Sequence, residues 1–398
     1  MITIDFETKS YADLKKVGAW AYSEDPTTNI ICACWGVESE PIQTWWPSNA
    51  DSLGRASSHA MTTGDGMPAD LAKAISSGHL VEAHNVAFER SIWMNVLAPK
   101  YGWPIPGDAF WRDTMAVACY YSMPAALDKL ARALNFQPKD SAGGRLISKY
   151  AKLCLKTAKT EIPPEDFSKF VEYCKQDVRI EQSVGGWLGD LPERELPIFL
   201  LDQKINMRGL HLDQEGIAAA TAIVQQRSEE LIEEFVALTG LKPSQRDKVI
   251  EWCRGRGIIL KNMQADYLKE LLDEGLSLGI VRRILEIRLA INKASTKKLD
   301  AMVRQCGADG RARWQTPYHG AGTGRTTGSG FQPLNLNRGY EDVEPEQLVH
   351  DIMYGDAEWL DIVYGDAMDA IAKASRHWIT AACRRFSGGT RSLAEYRL

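Results

Sequence analysis

A chain of 398 residues, 44% hydrophobic and 25% charged, has the composition of ordinary globular protein and length for two or three domains. Its formal net charge of −5 excludes an overall basic signature of a nucleic-acid-binding module, although carboxylates gathered for metal ions can mask a local basic groove. No charged-then-apolar leader opens the chain and no stretch approaches ~20 consecutive apolar residues, so a cytoplasmic protein without a membrane partner is expected.

The start, Met1 to Glu7, alternates apolar and polar residues and predicts a strand. Further strands are expected at Ile30–Val37 and around Ile42–Trp46, then a polar connection over 48–66. Pro68–Ser76 predicts a short helix, Leu80–Asn85 a strand, and the residues from Phe88 to Leu97 a helix. Interleaved strands and helices over the first ~110 residues indicate an α/β domain with a mixed sheet. Leu127, Leu130, Ala131 and Leu134 then recur at helical spacing, and Pro163-Pro164 opens a helix with Phe167, Phe170, Val171, Cys174 and Val178 on its apolar side. Leu188 to Pro192 punctuates the chain and sets the first expected boundary.

Beyond it, Asp213 is the predicted N-cap of a helix ending at Gly240. A second long amphipathic helix is expected over 278–305, stopped by Gly307, followed by Gly/Thr/Arg-rich loops and short strands to Gly339. The eight cysteines (32, 34, 119, 154, 174, 253, 306 and 383) include no CxxC pair. That spacing argues against zinc and for buried free thiols.

The chemistry-bearing residues are acids. Asp5 and Glu7, two apart on a strand, leave the same face, while Phe6 points the other way into the core. Two such acids repel each other and need either a cation or a solvated edge. Tyr173 and Asp177, four apart, stack on one face of an amphipathic helix. Glu89 follows Asn85 and Phe88 where a strand enters a helix. Each pattern alone is weak.

In this order and spacing they resemble the three exonuclease motifs of the DnaQ-like family, in the subclass whose third motif carries tyrosine. Asp5-Phe6-Glu7 is similar to the first motif, Asn85–Glu89 to the second and Tyr173–Asp177 to the third. Asp113-Thr114-Met115, with the helix after it, looks like the stretch between the second and third. One departure is Glu89, where the family carries aspartate: the charge is kept but the reach is one methylene longer. The resemblance implies an RNase H-like fold and metal-dependent 3′→5′ hydrolysis of DNA. Asp5, Glu7, Glu89 and Asp177 would hold two Mg²⁺ or Mn²⁺ ions, with Asp5 bridging both. Glu7 and Asp177 would bind the nucleophile-side ion, and Glu89 would act on the other through water. Tyr173, a poor base at neutral pH with an ordinary pKa of ~10, would orient the attacking water together with Glu7.

From Leu196 onward the chain resembles the family A DNA polymerases of phage type. Residues 202–213 look like the entry to the polymerase region, Lys293-Ala294-Ser295-Thr296 like the thumb's K-x-S-T element, and Gly322-Thr323-Gly324-Arg325 with Gln332 and Asn335 like the motif that touches the primer–template. Leu334 and Asn337 replace its usual Gln and Pro. Asn85, Phe88, Lys293, Thr296, Thr323, Arg325, Gln332 and Asn335 are accordingly expected to contact DNA. Arg282, Arg283, Arg288, Lys297 and Lys298 are candidates for its track, against the alternative of a solvated helix face. The last nine residues, Thr390 to Leu398, align with the next family motif, but threonine stands where its metal-binding aspartate should be. The fingers and later palm motifs are missing.

The resemblance therefore implies an RNase H-like mixed-sheet exonuclease domain over 1–190, a mainly helical thumb and start of the polymerase domain over 191–306, and an incomplete palm segment over 307–398. Its expected partners are a single-stranded 3′ end, a primer–template and a second polypeptide supplying fingers and palm, in a phage or prophage setting within a bacterial host. The alternatives are one half of a split replicative polymerase and a non-catalytic DNA-binding remnant.

Overall fold

The computed structural model describes residues 1–38, 40–47, 61–63, 65–137, 141–151, 162–274, 278–292 and 294–380. They fall into two compact units, Met1–Leu210 with Arg304–Leu334, and His211–Val303 with Asn335–Leu398. The first unit runs past the expected boundary near residue 190 and takes in the Gly/Thr-rich stretch up to Leu334.

In the first unit, β1 (Ile2–Lys9), β2 (Asn29–Val37), β3 (Gln43–Trp46), β4 (Met61–Thr63), β5 (Val81–Ala83) and β6 (Trp111–Asp113) build one mixed sheet in the order β4-β3-β2-β1-β5-β6. β1 lies between β2, its antiparallel neighbour, and β5, its parallel one. It is an interior strand, which removes the solvated edge as an explanation for Asp5 and Glu7. The helices of this unit are α1 (Leu14–Glu24), α2 (Ala69–Ser76), α3 (Ala87–Ile92), α4 (Ala98–Tyr101), α5 (Thr114–Tyr120), α6 (Leu127–Ala133), α7 (Ser141–Leu146), α8 (Pro164–Leu188) and α9 (Leu196–Arg208).

The period-2 alternation of β1 divides two cores. Ile2, Ile4 and Phe6 pack with Trp35, Trp45 and Trp93 on one face of the sheet. On the other, Cys32 and Cys34 of β2 pack with Phe167, Phe170, Val171, Cys174 and Val178 of α8. These are the α8 residues whose spacing predicts an apolar side. Pro164 occupies the first turn of α8, where a missing N–H costs nothing.

Several local features differ from the sequence expectations. α1 is not foreshadowed by periodicity, because Gly18 at φ 76° interrupts its helical geometry. The helix after residue 88 is an α-helical turn and a half that passes into a π-helical turn over Trp93–Leu97 and then α4. The connection over 48–66 carries β4, paired parallel to β3; residues 48–60 and 64 lie outside the described residues.

β7 (Leu210–Leu212) runs from the last residue of the first unit's main segment into the second unit and leads into α10 (Gln214–Thr239). Asp213 caps α10 by accepting from the Gly216 N–H at 3.0 Å, and Gly240 ends it in the left-handed region, as expected. A Cβ at Gly216 would stand 2.5 Å from the Trp378 ring, so glycine is what lets that buried indole close on the helix. α11 (Arg246–Arg254), α12 (Ala265–Asp273) and α13 (Ile280–Ile291) enclose a core of Phe235, Val249, Leu268, Ile284 and Leu285. The single helix expected over 278–305 is two: α13 closes at Asn292, whose backbone leaves helical geometry, and α14 (Ala294–Gln305) starts afresh. After β8 (Arg311–Ala312), which belongs to the first unit, the second continues with α15 (Pro345–Tyr354), α16 (Ala357–Tyr364), α17 (Ala367–Ala374) and β9 (Ile379–Thr380). In it, His211 and Leu212 pair antiparallel with Thr380 and Ile379. Among the described residues no helix is long and apolar enough to cross a membrane.

One buried acid sits apart from the sequence motifs. Glu82, opposite Thr3 in the β1–β5 register, is 7% exposed and accepts from the Thr3 hydroxyl at 3.3 Å. Burial pushes its carboxyl up to about 7. Between pH ~4.5 and 7 the folded chain therefore holds a proton that the unfolded chain has lost, and stability falls as pH rises through that window. Glu82→Gln, which keeps the neutral shape, is expected to flatten this slope and to gain about 2–3 kcal/mol at pH 8. Urea unfolding of both proteins at pH 5 and pH 8 measures it.

Candidate active site

Asp5 and Glu7 leave the face of β1 that α8 covers, and Asp177 of α8 meets them there. Carboxylate oxygens of the three lie within 4.8 Å of one another. Glu7 and Asp177 are 7% and 2% exposed, whereas Asp5 is half-buried and gives the cluster its opening. Three like charges at this spacing repel strongly in a poorly solvated place, and hard oxygen donors so arranged fit a divalent cation of the Mg²⁺ type. Tyr173 stands one helical turn before Asp177 on the same side of α8 and is half-buried. Cys174, between them in sequence, donates its thiol to Asp5 Oδ2 at 3.2 Å. Burial pushes the Cys174 thiol well up, which keeps it a donor.

Glu89 lies outside this group of three. It is 4% exposed in the first turn of α3, so its charge is held inside the fold rather than on a solvated surface.

Its placement depends on a residue whose role the sequence does not announce. Asp113, at the end of β6, accepts from the backbone N–H of Asn85 at 2.9 Å through one oxygen and of Val86 at 3.2 Å through the other. The same carboxylate caps α5 through Met115 N–H at 2.9 Å. Asn85 adopts φ 71°, the left-handed conformation that asparagine tolerates, and turns the chain from β5 into α3. Burial raises Asp113 to about 6 while these N–H groups pull it down. Asp113→Ala leaves buried donors without their acceptor and is expected to cost about 2–3 kcal/mol of stability. The turn that carries Glu89 is expected to loosen with it. Denaturant titration measures the loss of stability.

The remaining expected DNA contacts are dispersed. Asn85 is exposed, but Phe88 is half-buried and its ring lies 6.2 Å from that of Tyr22. In the first unit Thr323, Arg325 and Gln332 are exposed on one loop. Its turn is closed by Ala321 N–H to Arg325 O at 3.1 Å and is anchored by the buried Phe331. In the second unit Asn335 is exposed and its carbonyl accepts from Lys298 Nζ at 2.7 Å. Lys293 and the side chain of Thr296 lie outside the described residues, as does the whole segment Thr390–Leu398.

The arginines proposed for a DNA track are engaged within the second unit. Arg283 grips Glu234 through two hydrogen bonds of 2.7 and 2.6 Å, Arg282 donates to Leu272 O at 2.7 Å, and Arg288 donates to the Pro243 carbonyl. These three join helices and loops of the unit, a structural task that a basic helix face does not distinguish from a binding one.

No family model matches the chain. The chain is 29% identical over 390 residues to the DNA polymerase of Bacillus phage SP02, an alignment covering 94% of this chain and 57% of that protein. It thus spans little more than half the length of that relative. Among solved structures, the POL domain of Pol1 from M. smegmatis, in complex with DNA primer-template and dNTP, is similar at a TM-score of 0.45 and 14% identity, over 85% of this chain and 52% of that one. The phage relative supports the resemblance to family A-like DNA polymerases read from the motifs.

Proposed function

We propose that the first unit carries a two-metal 3′→5′ exonuclease that removes nucleotides from DNA 3′ ends, as a proofreading partner to polymerase chemistry. The observation that carries this is the convergence of Asp5, Glu7 and Asp177, with carboxylate oxygens within 4.8 Å, on an interior strand and a helix. The strand order β3-β2-β1-β5-β6, with β2 antiparallel to its neighbours and β1, β5 and β6 mutually parallel, supports an RNase H-like fold.

Asp5, Glu7 and Asp177 fit Mg²⁺ or Mn²⁺ by donor type and spacing, and Glu89 is the fourth acid in family order. When bound, two such ions supply Lewis-acid polarisation and compensate charge on both sides of the scissile bond. In the net reaction a water oxygen bonds to phosphorus while the bond to the 3′ oxygen breaks. A proton reaches that departing oxygen and a nucleoside monophosphate is released. The chain's own contribution is to hold three carboxylates close together, and Tyr173, one helical turn before Asp177 on α8, is proposed to align the water together with Glu7. Asn85, Phe88, Thr323, Arg325, Gln332 and Asn335 are proposed to meet the DNA, by phosphate contacts and stacking.

In domain terms, 1–190 is proposed as the exonuclease, 191–306 as the thumb and start of the polymerase region, and 307–398 as a palm segment. Chelation by EDTA is expected to abolish hydrolysis, and Mg²⁺ or Mn²⁺ to restore it. Primer extension with all four dNTPs by this chain is expected to be undetectable, because the uncharged Thr390 stands where the motif requires a metal-binding aspartate. Hydrolysis that persists in EDTA refutes the metal assignment, and robust extension refutes the polymerase half.

A further inference from the structure

Directly beside the carboxylates, on the cross-strand partners of Asp5 and Glu7, the fold assembles a second donor set of opposite chemical character. Cys32 and Cys34 leave the same face of β2, because a strand repeats every two residues. Cys174 comes down on them from α8, and the three sulfurs lie within 4.8 Å of one another, all fully buried. A tetrahedral metal with sulfur ligands at ~2.3 Å places them roughly 3.8 Å apart, so closure needs movements of no more than about an ångström. Thr44 Oγ1 lies 3.5 Å from the Cys34 sulfur, and Asp5 Oδ2 lies 3.2 Å from that of Cys174. Sequence spacing hides this cluster, since Cys174 comes from a distant helix and no CxxC pair is involved.

We propose that Cys32, Cys34 and Cys174 form a thiophilic metal site of the zinc class, with Asp5 placed to complete a four-ligand S₃O set. Soft thiolates select such ions over Mg²⁺, which the neighbouring oxygen cluster suits. Binding replaces three S–H bonds with three S–metal bonds and releases three protons to solvent, so affinity rises with pH. It also takes from Asp5 the thiol hydrogen bond and draws that carboxylate toward sulfur. Resting on the exonuclease assignment, the consequence is that zinc inhibits hydrolysis supported by Mg²⁺.

Cadmium titration of the full chain tests the site without reference to nuclease activity. One equivalent of Cd²⁺ is expected to give a sulfur-to-metal ultraviolet charge-transfer band that persists in excess Mg²⁺. Cys32→Ala and Cys34→Ala, each checked for folding by circular dichroism, are expected to weaken that binding at least about a hundredfold, more than the loss of an outer-shell partner. On the wild-type chain alone, X-ray absorption of the bound metal is expected to count three sulfur neighbours, which keeps the test valid if a variant does not fold. No band, a band unchanged in either variant, or a shell of only oxygen and nitrogen overturns the proposal. A sulfur-to-metal band in a chain that shows no nuclease activity upholds the site and refutes the exonuclease assignment, with the inhibition that rests on it.

Discussion

Asp177→Asn is expected to lower the rate of 3′-end hydrolysis by on the order of a thousandfold or more, while leaving the chain at least as stable as the wild type. The two effects share one cause. Asp177 is 2% exposed and converges with Asp5 and Glu7, so without a bound ion the fold holds three mutually repelling acids in a poorly solvated place. Removing one acid from so close a cluster is expected to leave stability in metal-free buffer unchanged or raised, the trade that functional sites commonly make between stability and activity. The same removal takes away a hard donor of the proposed metal site. Adding Mg²⁺ should therefore stabilise the wild type and not the variant. Thermal unfolding with and without Mg²⁺, beside single-turnover rates, measures all three effects. A variant that loses activity and stability together would make Asp177 a packing residue rather than a ligand.

Tyr173→Phe is expected to reduce kcat about a hundredfold with KM changed by no more than roughly threefold, because only the hydroxyl proposed to align the water is lost. The ring keeps its place on α8, one turn from Asp177, and the carboxylate cluster keeps its donors. Metal affinity should accordingly stay within about twofold of wild type. Isothermal titration with Mn²⁺ separates this outcome from collapse of the site. A large loss of Mn²⁺ binding would show that Tyr173 supports the ligands instead of the water.

The strand bearing Asp5 and Glu7 was legible because period-2 alternation states which side chains share a face, and the structure assigns Phe6 and the acids to opposite faces accordingly. The apolar side of α8 was legible for the same reason at helical period. What the sequence could not state was the interior position of β1, since pairing partners are set by tertiary assembly and not by local pattern. Asp113 is not legible as a site residue in the sequence, because its work is done on N–H groups 28 and 27 residues away, at Asn85 and Val86. The cysteine cluster is hidden for a similar reason: period 2 gives Cys32 and Cys34, but not the helix that brings Cys174. The arginines of α13 show a different limit. A basic helix face suits DNA or solvent equally, and only the positions of Glu234, Leu272 and Pro243 show that three of its arginines hold the second unit together. The break at Asn292 was hidden because apolar periodicity continues on both sides of it.

The most direct measurement is the fate of a 5′-labelled single strand incubated with the full chain and Mg²⁺. A ladder shortened one nucleotide at a time from the 3′ end is expected, with nucleoside monophosphates as the released product, and no ladder from Asp5→Ala under the same conditions. No ladder from the wild type, or the same ladder from Asp5→Ala, would contradict it.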